Sequence, residues 1–205
     1  MASDVPSGEG DAAALQARAV EVVRAAAQLM EKAGGPDDAE LRDAIEQHLG
    51  VERELVANQL DFALVFVHLG ILLGVRCHMR RDSGGADAAE RAEALRRLRW
   101  ADSHGPRDDP LVVQARMMLL FVLLPWALPR TDGSRTALQN ALLDAADGRV
   151  LTEALRRDLI EAREVVDRIA EAPTSEEFRL RGESIRQDIE QMLAAGSAGS
   201  ARRSR

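Results

Sequence analysis

Apolar residues recur along this chain at three- and four-residue intervals, with polar residues on the opposite side of the helical wheel. The strongest case is Leu55 to Arg81, LVANQLDFALVFVHLGILLGVRCHMRR. There Leu55, Phe62, Phe66, Leu69 and Leu73 stand seven, four, three and four apart. That period predicts an α-helix rather than a strand. From Ala63 to Val75 the run is apolar on almost every face, so this central helix, beginning near Glu52, is expected to be buried on several sides. Gly70 and Gly74 lie one turn apart inside it. Each costs about 1 kcal/mol of helix stability relative to alanine, which close approach of a neighbouring helix would offset.

The same periodicity places seven further helices. The first is expected from about Asp11 to Lys32, stopped by Gly34-Gly35-Pro36, and the second from about Asp38 to Leu49, ended by Gly50. After the central helix come segments at about Ala86 to Asp102, Pro110 to Leu128, Arg135 to Ala146, Thr152 to Ala172, and Thr174 to Ala195. Asp109-Pro110 reads as an N-cap followed by a first-turn proline. Thr174-Ser175-Glu176-Glu177 resembles a capping box. No segment alternates as a strand would. The expected fold is all-α, about eight helices in antiparallel hairpins. Residues 1–10 are expected to be a disordered N-terminus, 11–195 a single helical domain, and 196–205 a flexible basic tail.

Composition narrows the class. Aromatic residues make up 3% of the 205, and there is no tyrosine, so the core must be built from Leu, Val, Ala and Met. Lys32 is the only lysine among 27 basic residues, which reads as the codon bias of a high-GC bacterial genome. A net charge of −7 argues against a nucleic-acid partner. The single cysteine, Cys77, rules out an internal disulfide and suits a reducing cytoplasm. The N-terminus has neither a basic nor an apolar leader segment, so a cytoplasmic location is expected. Leu60–Val75 and Met117–Leu128 fall short of the roughly 20 apolar residues a membrane span needs. Both are expected to be core helices, and no membrane partner is expected.

Helix punctuation repeats. Lys32-Ala33-Gly34-Gly35-Pro36-Asp37-Asp38 is similar to Ser103-His104-Gly105-Pro106-Arg107-Asp108-Asp109. Pro36, Pro106 and Pro173 are 70 and 67 residues apart. Phe66-x2-Leu69-Gly70-x2-Leu73 resembles the first-helix pattern of the tetratricopeptide repeat. Ala94, Leu98, Ala101 and Pro106 stand at the spacings of its second helix. About 12 extra residues separate Gly70 from Ala94 relative to the 34-residue repeat, and the likeness is best over 66–106. Such degenerate Ala/Arg-rich arrays resemble helical repeat regions of high-GC bacterial signalling and conflict proteins. The resemblance implies an α-solenoid that binds a protein or peptide in a groove formed by the first helices of successive hairpins. The residue pattern alone leaves a generic helical bundle open.

Candidate chemistry is sparse. Asn58, Asp61 and Arg76 are candidate binding residues near that groove, and His68 lies within the apolar helix as a core histidine or a polar contact. Cys77-His78, His48 and His104 do not make up a metal-ligand set, and neither a metal nor a cofactor is expected. Arg99-x4-His104 resembles the ribonuclease motif of HEPN domains, where Arg and His would act on RNA phosphate and ribose hydroxyl. A turn beside Gly105-Pro106 accounts for His104 without it. The pairs Asp37-Asp38, Asp108-Asp109 and Glu176-Glu177 open helices and read as caps rather than catalytic carboxylates. Arg96-Arg97-Arg99 and Arg156-Arg157 read as solvated faces.

The expected function is thus a helical-repeat adaptor or scaffold for a protein or peptide. Two alternatives stand beside it: a bundle enclosing an apolar small-molecule pocket lined by Met117, Met118 and Phe121–Trp126, and a HEPN-like ribonuclease. Self-association through Met117–Leu128 is open if that face is exposed.

Overall fold

The computed structural model describes residues 8–80, 88–124, 153–172 and 176–203. These form seven helices and, among the described residues, no strand: α1 Gly8–Met30, α2 Asp38–Ala57, α3 Ala63–Arg80, α4 Ala88–His104, α5 Pro110–Leu123, α6 Glu153–Glu171 and α7 Glu176–Arg203. The fold is all-α. The helix expected over about Arg135 to Ala146 lies outside the described residues, as do Pro125–Thr152 as a whole. The chain divides into two compact units, Met1–Arg97 and Leu98–Arg205.

In the first unit, α1 ends at Met30 and the chain passes through Gly34 and Gly35, whose φ angles of 87° and 77° only glycine adopts without cost. Asp37 then caps α2. Its carboxylate accepts from Glu40 N–H at 2.9 Å while the Glu40 carboxylate accepts from Asp37 N–H at 3.0 Å, a complete capping box. Gly50 does not end α2, contrary to expectation. Buried Val51 and Leu55 hold the helix through it, and their packing outweighs the glycine's propensity cost.

The expected helix from Glu52 to Arg81 is two helices. α2 stops at Ala57, Asn58 caps it, Gln59 turns left-handed at φ 57°, and α3 starts at Ala63. Leu60 N–H bonds back to Leu55 O at 2.9 Å, closing the α2 end. Periodicity continued across the break because Leu55 and Phe62 both face the core. The reversal lets α2 and α3 pack antiparallel, with Leu41 and Ile45 against Leu69, Leu72 and Leu73 at one level and Val51 and Leu55 against Val65 at the other. α1 lies antiparallel to α2, through Lys32–Glu40 and Arg18–Glu54. Its Leu15 and Ala19 join the Val65 level and its Ala26 the Leu69 level, so α1 and α3 are parallel. Within this unit, α4 runs antiparallel to α3: Glu90 pairs with Arg76 and Arg97 lies over Phe66, with Ala94 in the core between them.

By length and composition, α3 could cross a membrane. Ten of its residues, from Val65 to Cys77, are nevertheless buried.

In the second unit, Asp109 caps α5, accepting from Leu111 N–H at 2.8 Å, with Pro110 in the first turn as expected. α5 was expected to reach Leu128 and stops at Leu123. Pro125 disfavours helical backbone at the residue before it, and Leu124 takes φ −114°, ψ 71°. Asp102 of α4 reaches Arg116 of α5, and Gly105 faces Val112, which makes α4 and α5 an antiparallel hairpin. α6 buries Leu159, Ala162, Val165, Val166 and Ile169. Gly182 beside Val166 and Arg186 beside Asp167 pack α7 on α6. α7 continues to Arg203 through the segment expected to be a tail. Ala194, Ala195, Ala198 and Ala201 supply helix propensity there, and no proline interrupts.

Candidate functional site

Asn58 and Asp61 come together at the α2–α3 turn, and both serve the backbone. Asn58 donates its Nδ2 hydrogen to Glu54 O at 2.8 Å. Asp61 accepts from Ala63 N–H at 2.9 Å and so holds the start of α3. Asn58 also lines a cleft of about 460 Å³ with Asp11, Leu15, Arg18 and Glu54. Ala12, Ala14 and Leu15 line it beside the Arg18–Glu54 ion pair. Met117, Met118 and Phe121 belong to α5 and take no part in it. Trp126 lies outside the described residues.

Arg76 is not brought to this turn. Thirteen residues of α3 separate it from Ala63, roughly 20 Å of helix. It sits in an ion network at the opposite end of the unit, with its Nε 3.0 Å from Asp38 Oδ1 and its Nη1 3.2 Å from Glu90 Oε1. Arg80 forks onto both oxygens of the same Asp38 at 2.9 and 3.0 Å. Burial opposes the Arg76 charge, but the two carboxylates outweigh it and raise its pKa. Hydrogen bonds from Arg76, then Arg80, hold the Asp38 carboxyl below its usual range.

His68 is half-buried in the middle of α3. Burial pushes its pKa down to about 4, and the charge of His48 adds to the effect. His48, on α2, is only 1% exposed. Its Nδ1 bonds to Ala44 O at 2.8 Å, while Nε2 is buried without a partner.

One arginine read as solvent-facing, Arg97, is buried. Arg97 is 4% exposed, and its guanidinium lies 4.4 Å from the Phe66 ring centroid. It forks onto Glu52 at 2.9 and 3.0 Å and takes a third bond from its Nε to Glu93 at 2.6 Å. Arg96 reaches the other side of the cluster, 5.1 Å from the same ring, and forks onto Glu93. Hydrogen bonds from Arg96, then Arg97, pull the Glu93 pKa down to about 2 despite some burial. Sequence reasoning assigned Arg97 to a solvated face because its neighbours are charged. The signal it lacked is the partner Glu52, 45 residues away. In the second unit, Arg116 is 2% exposed, bonding Asp102 at 2.7 Å and Arg107 O at 2.8 Å, and Arg168 reaches the other Asp102 oxygen at 2.7 Å.

Arg99 and His104 have separate engagements. Arg99 forks onto Glu161 at 2.6 and 2.7 Å. The His104 ring stacks on Trp100 at 4.9 Å, and its Nδ1 lies 3.0 Å from Trp100 O and 2.8 Å from Ser103 Oγ. Cys77 is buried, and burial raises its thiol to about 11, which keeps it protonated at neutral pH. Asp37 and Asp109 act as caps, and Asp38 as the Arg76/Arg80 partner. Among the described residues, no group of three or more His, Cys, Asp or Glu side chains comes together to hold a metal ion.

What the described residues offer is a helical framework with internally paired charges, a cleft of mixed lining and scattered exposed apolar side chains. No protein-family model, no curated protein and no solved structure matches this chain.

Proposed function

We propose that this chain is a helical-repeat adaptor that binds a protein or peptide segment along the first helices of its hairpins. The observation that carries the reading is that, in the first unit, helices two apart in sequence lie side by side and parallel. In the first unit α1 packs on α3. In the second unit, Arg99 and Asp102 of α4 meet Glu161 and Arg168 of α6 in the same order, so these two described helices also run parallel. Contacts to the next helix and to the next but one are the pattern of stacked hairpins. The Phe66-x2-Leu69-Gly70-x2-Leu73 likeness to the tetratricopeptide first helix adds to it.

Val20 on α1 and Leu64 on α3 lie at the same level of two parallel first helices and are 46% and 41% exposed. They are the apolar contacts such a groove would offer, with Asn58 and Asp61 at its end. Peptide selection by phage display against the full chain, followed by fluorescence anisotropy, tests the reading. Selected peptides are expected to bind at micromolar affinity and to lose at least about tenfold on Val20→Glu or Leu64→Glu, the order expected of central apolar contacts. Failure to select any peptide, or selected peptides indifferent to both substitutions, counts against it.

A further inference from the structure

His48 and His68 stand at one level of the α2–α3 hairpin. Ile45 meets Leu69 and Leu72 on one side of that level, and Val51 and Leu55 meet Val65 on the other. The His48 Nδ1 contact is a carbonyl oxygen, which can only accept, so Nδ1 carries the proton and Nε2 holds a lone pair. That lone pair is buried and unpartnered. Adding a proton there creates a positive charge and an N–H with no acceptor, both inside an apolar core. His68 feels the charge of His48 directly.

The acid one turn from His48 on α2, Glu52, is already held by both guanidinium nitrogens of Arg97. α1 turns Ala19, Val22, Val23 and Ala26 toward this core. α4 contributes Ala94, and its nearby charges, Glu93, Arg96 and Arg97, close a set with Glu52 around Phe66. We propose that His48 and His68 form a proton-operated latch on the α2–α3 hairpin. Two neutral rings are compatible with the packed unit, and protonating either ring favours an opened hairpin in which both reach water.

The direction follows from linkage. Burial holds both rings below the ordinary histidine value of 6.5, so their contribution to stability is full above that pH and is lost as pH falls toward the folded value. Hydrogen–deuterium exchange of the full chain tests this, read on α2 and α3 peptides and corrected for the intrinsic pH dependence of exchange. From pH 7.5 to 5.0 the open population is expected to rise on the order of 30-fold, the ratio set by a pKa moving from 6.5 to about 4. The rise should vanish in a His48→Gln/His68→Gln chain. A wild-type chain without the rise, or a double variant that keeps it, overturns the proposal. An imidazole NMR titration of the wild-type chain gives a readout independent of any variant. Both rings neutral at pH 5 while the hairpin is closed supports the latch, and either ring titrating near 6.5 with α2 and α3 still protected overturns it.

Discussion

The Arg97 guanidinium lies 4.4 Å from the centroid of the Phe66 ring and is held there by both oxygens of Glu52. One arginine thereby ties α4 to α3 through an aromatic face and to α2 through a carboxylate. Phe66 is the aromatic of the tetratricopeptide-like pattern, and here its ring is a platform for cations as well as core packing. An arginine suits the position because its planar fork can stack and bind bidentately at once.

Arg97→Ala should therefore destabilise the first unit by up to about 3 kcal/mol, because it leaves the largely covered Glu52 without its cation. Arg97→Lys should recover only part of that, since an ammonium can neither stack nor bind in a fork. Urea denaturation followed by circular dichroism measures both. A lysine variant as stable as wild type would show that charge alone matters.

Two glycines should respond oppositely to alanine. A Cβ on Gly105 would run into the Val112 side chain and the Ala101 carbonyl oxygen at the α4–α5 turn, so Gly105→Ala is expected to cost about 1–3 kcal/mol. Adding Val112→Ala should relieve the side-chain part of the clash. Gly50 lies inside α2 with nothing within 4 Å of an added Cβ, so Gly50→Ala should stabilise by up to about 1 kcal/mol. Thermal unfolding of the three variants reads the signs directly.

Asp37→Ala removes one half of the capping box and frees the Glu40 N–H of α2. A loss of about 1 kcal/mol is expected. Asp37→Asn should retain most of the stability, since an amide oxygen can also accept. Denaturation midpoints of the two variants separate loss of the cap from loss of charge.

The Glu93 carboxyl has a folded pKa near 2 against an ordinary 4.5. Its contribution is present above pH 4.5 and is lost as pH falls toward 2. Because its side chain is 37% exposed, solvent screens part of the effect. Glu93→Gln should flatten the stability curve between pH 4.5 and 2.5 while leaving the slope from pH 7 to 5, assigned to the histidines, in place. Urea midpoints across that range check it. An unchanged acid limb would assign the loss to other carboxylates.

Much of the local structure was legible in the residues. The apolar period, the scarcity of aromatics and the absence of alternating segments pointed to helices alone, and all seven described elements are helices. Gly34-Gly35-Pro36 and Asp109-Pro110 marked ends correctly because the physics there is local: left-handed backbone, a missing N–H and a capping carboxylate act within a few residues. The same locality misled at Gly50, where a propensity cost near 1 kcal/mol lost to burial of Val51 and Leu55. It misled again at Gln59, because a helical period does not register a break whose two sides face the same core.

The candidate residues divide in the same way. That Asn58 and Asp61 flank one turn follows from their three-residue separation. That Arg76 joins Asp38 and Glu90, and that Arg97 finds Glu52, depends on which helices lie side by side. The helices and most of their ends could be read from the residues alone, since they rest on interactions within about four residues. The burial of Arg97 and the electrostatic coupling of His48 to His68 rest instead on helices brought together across 45 and 20 residues, which no local pattern encodes.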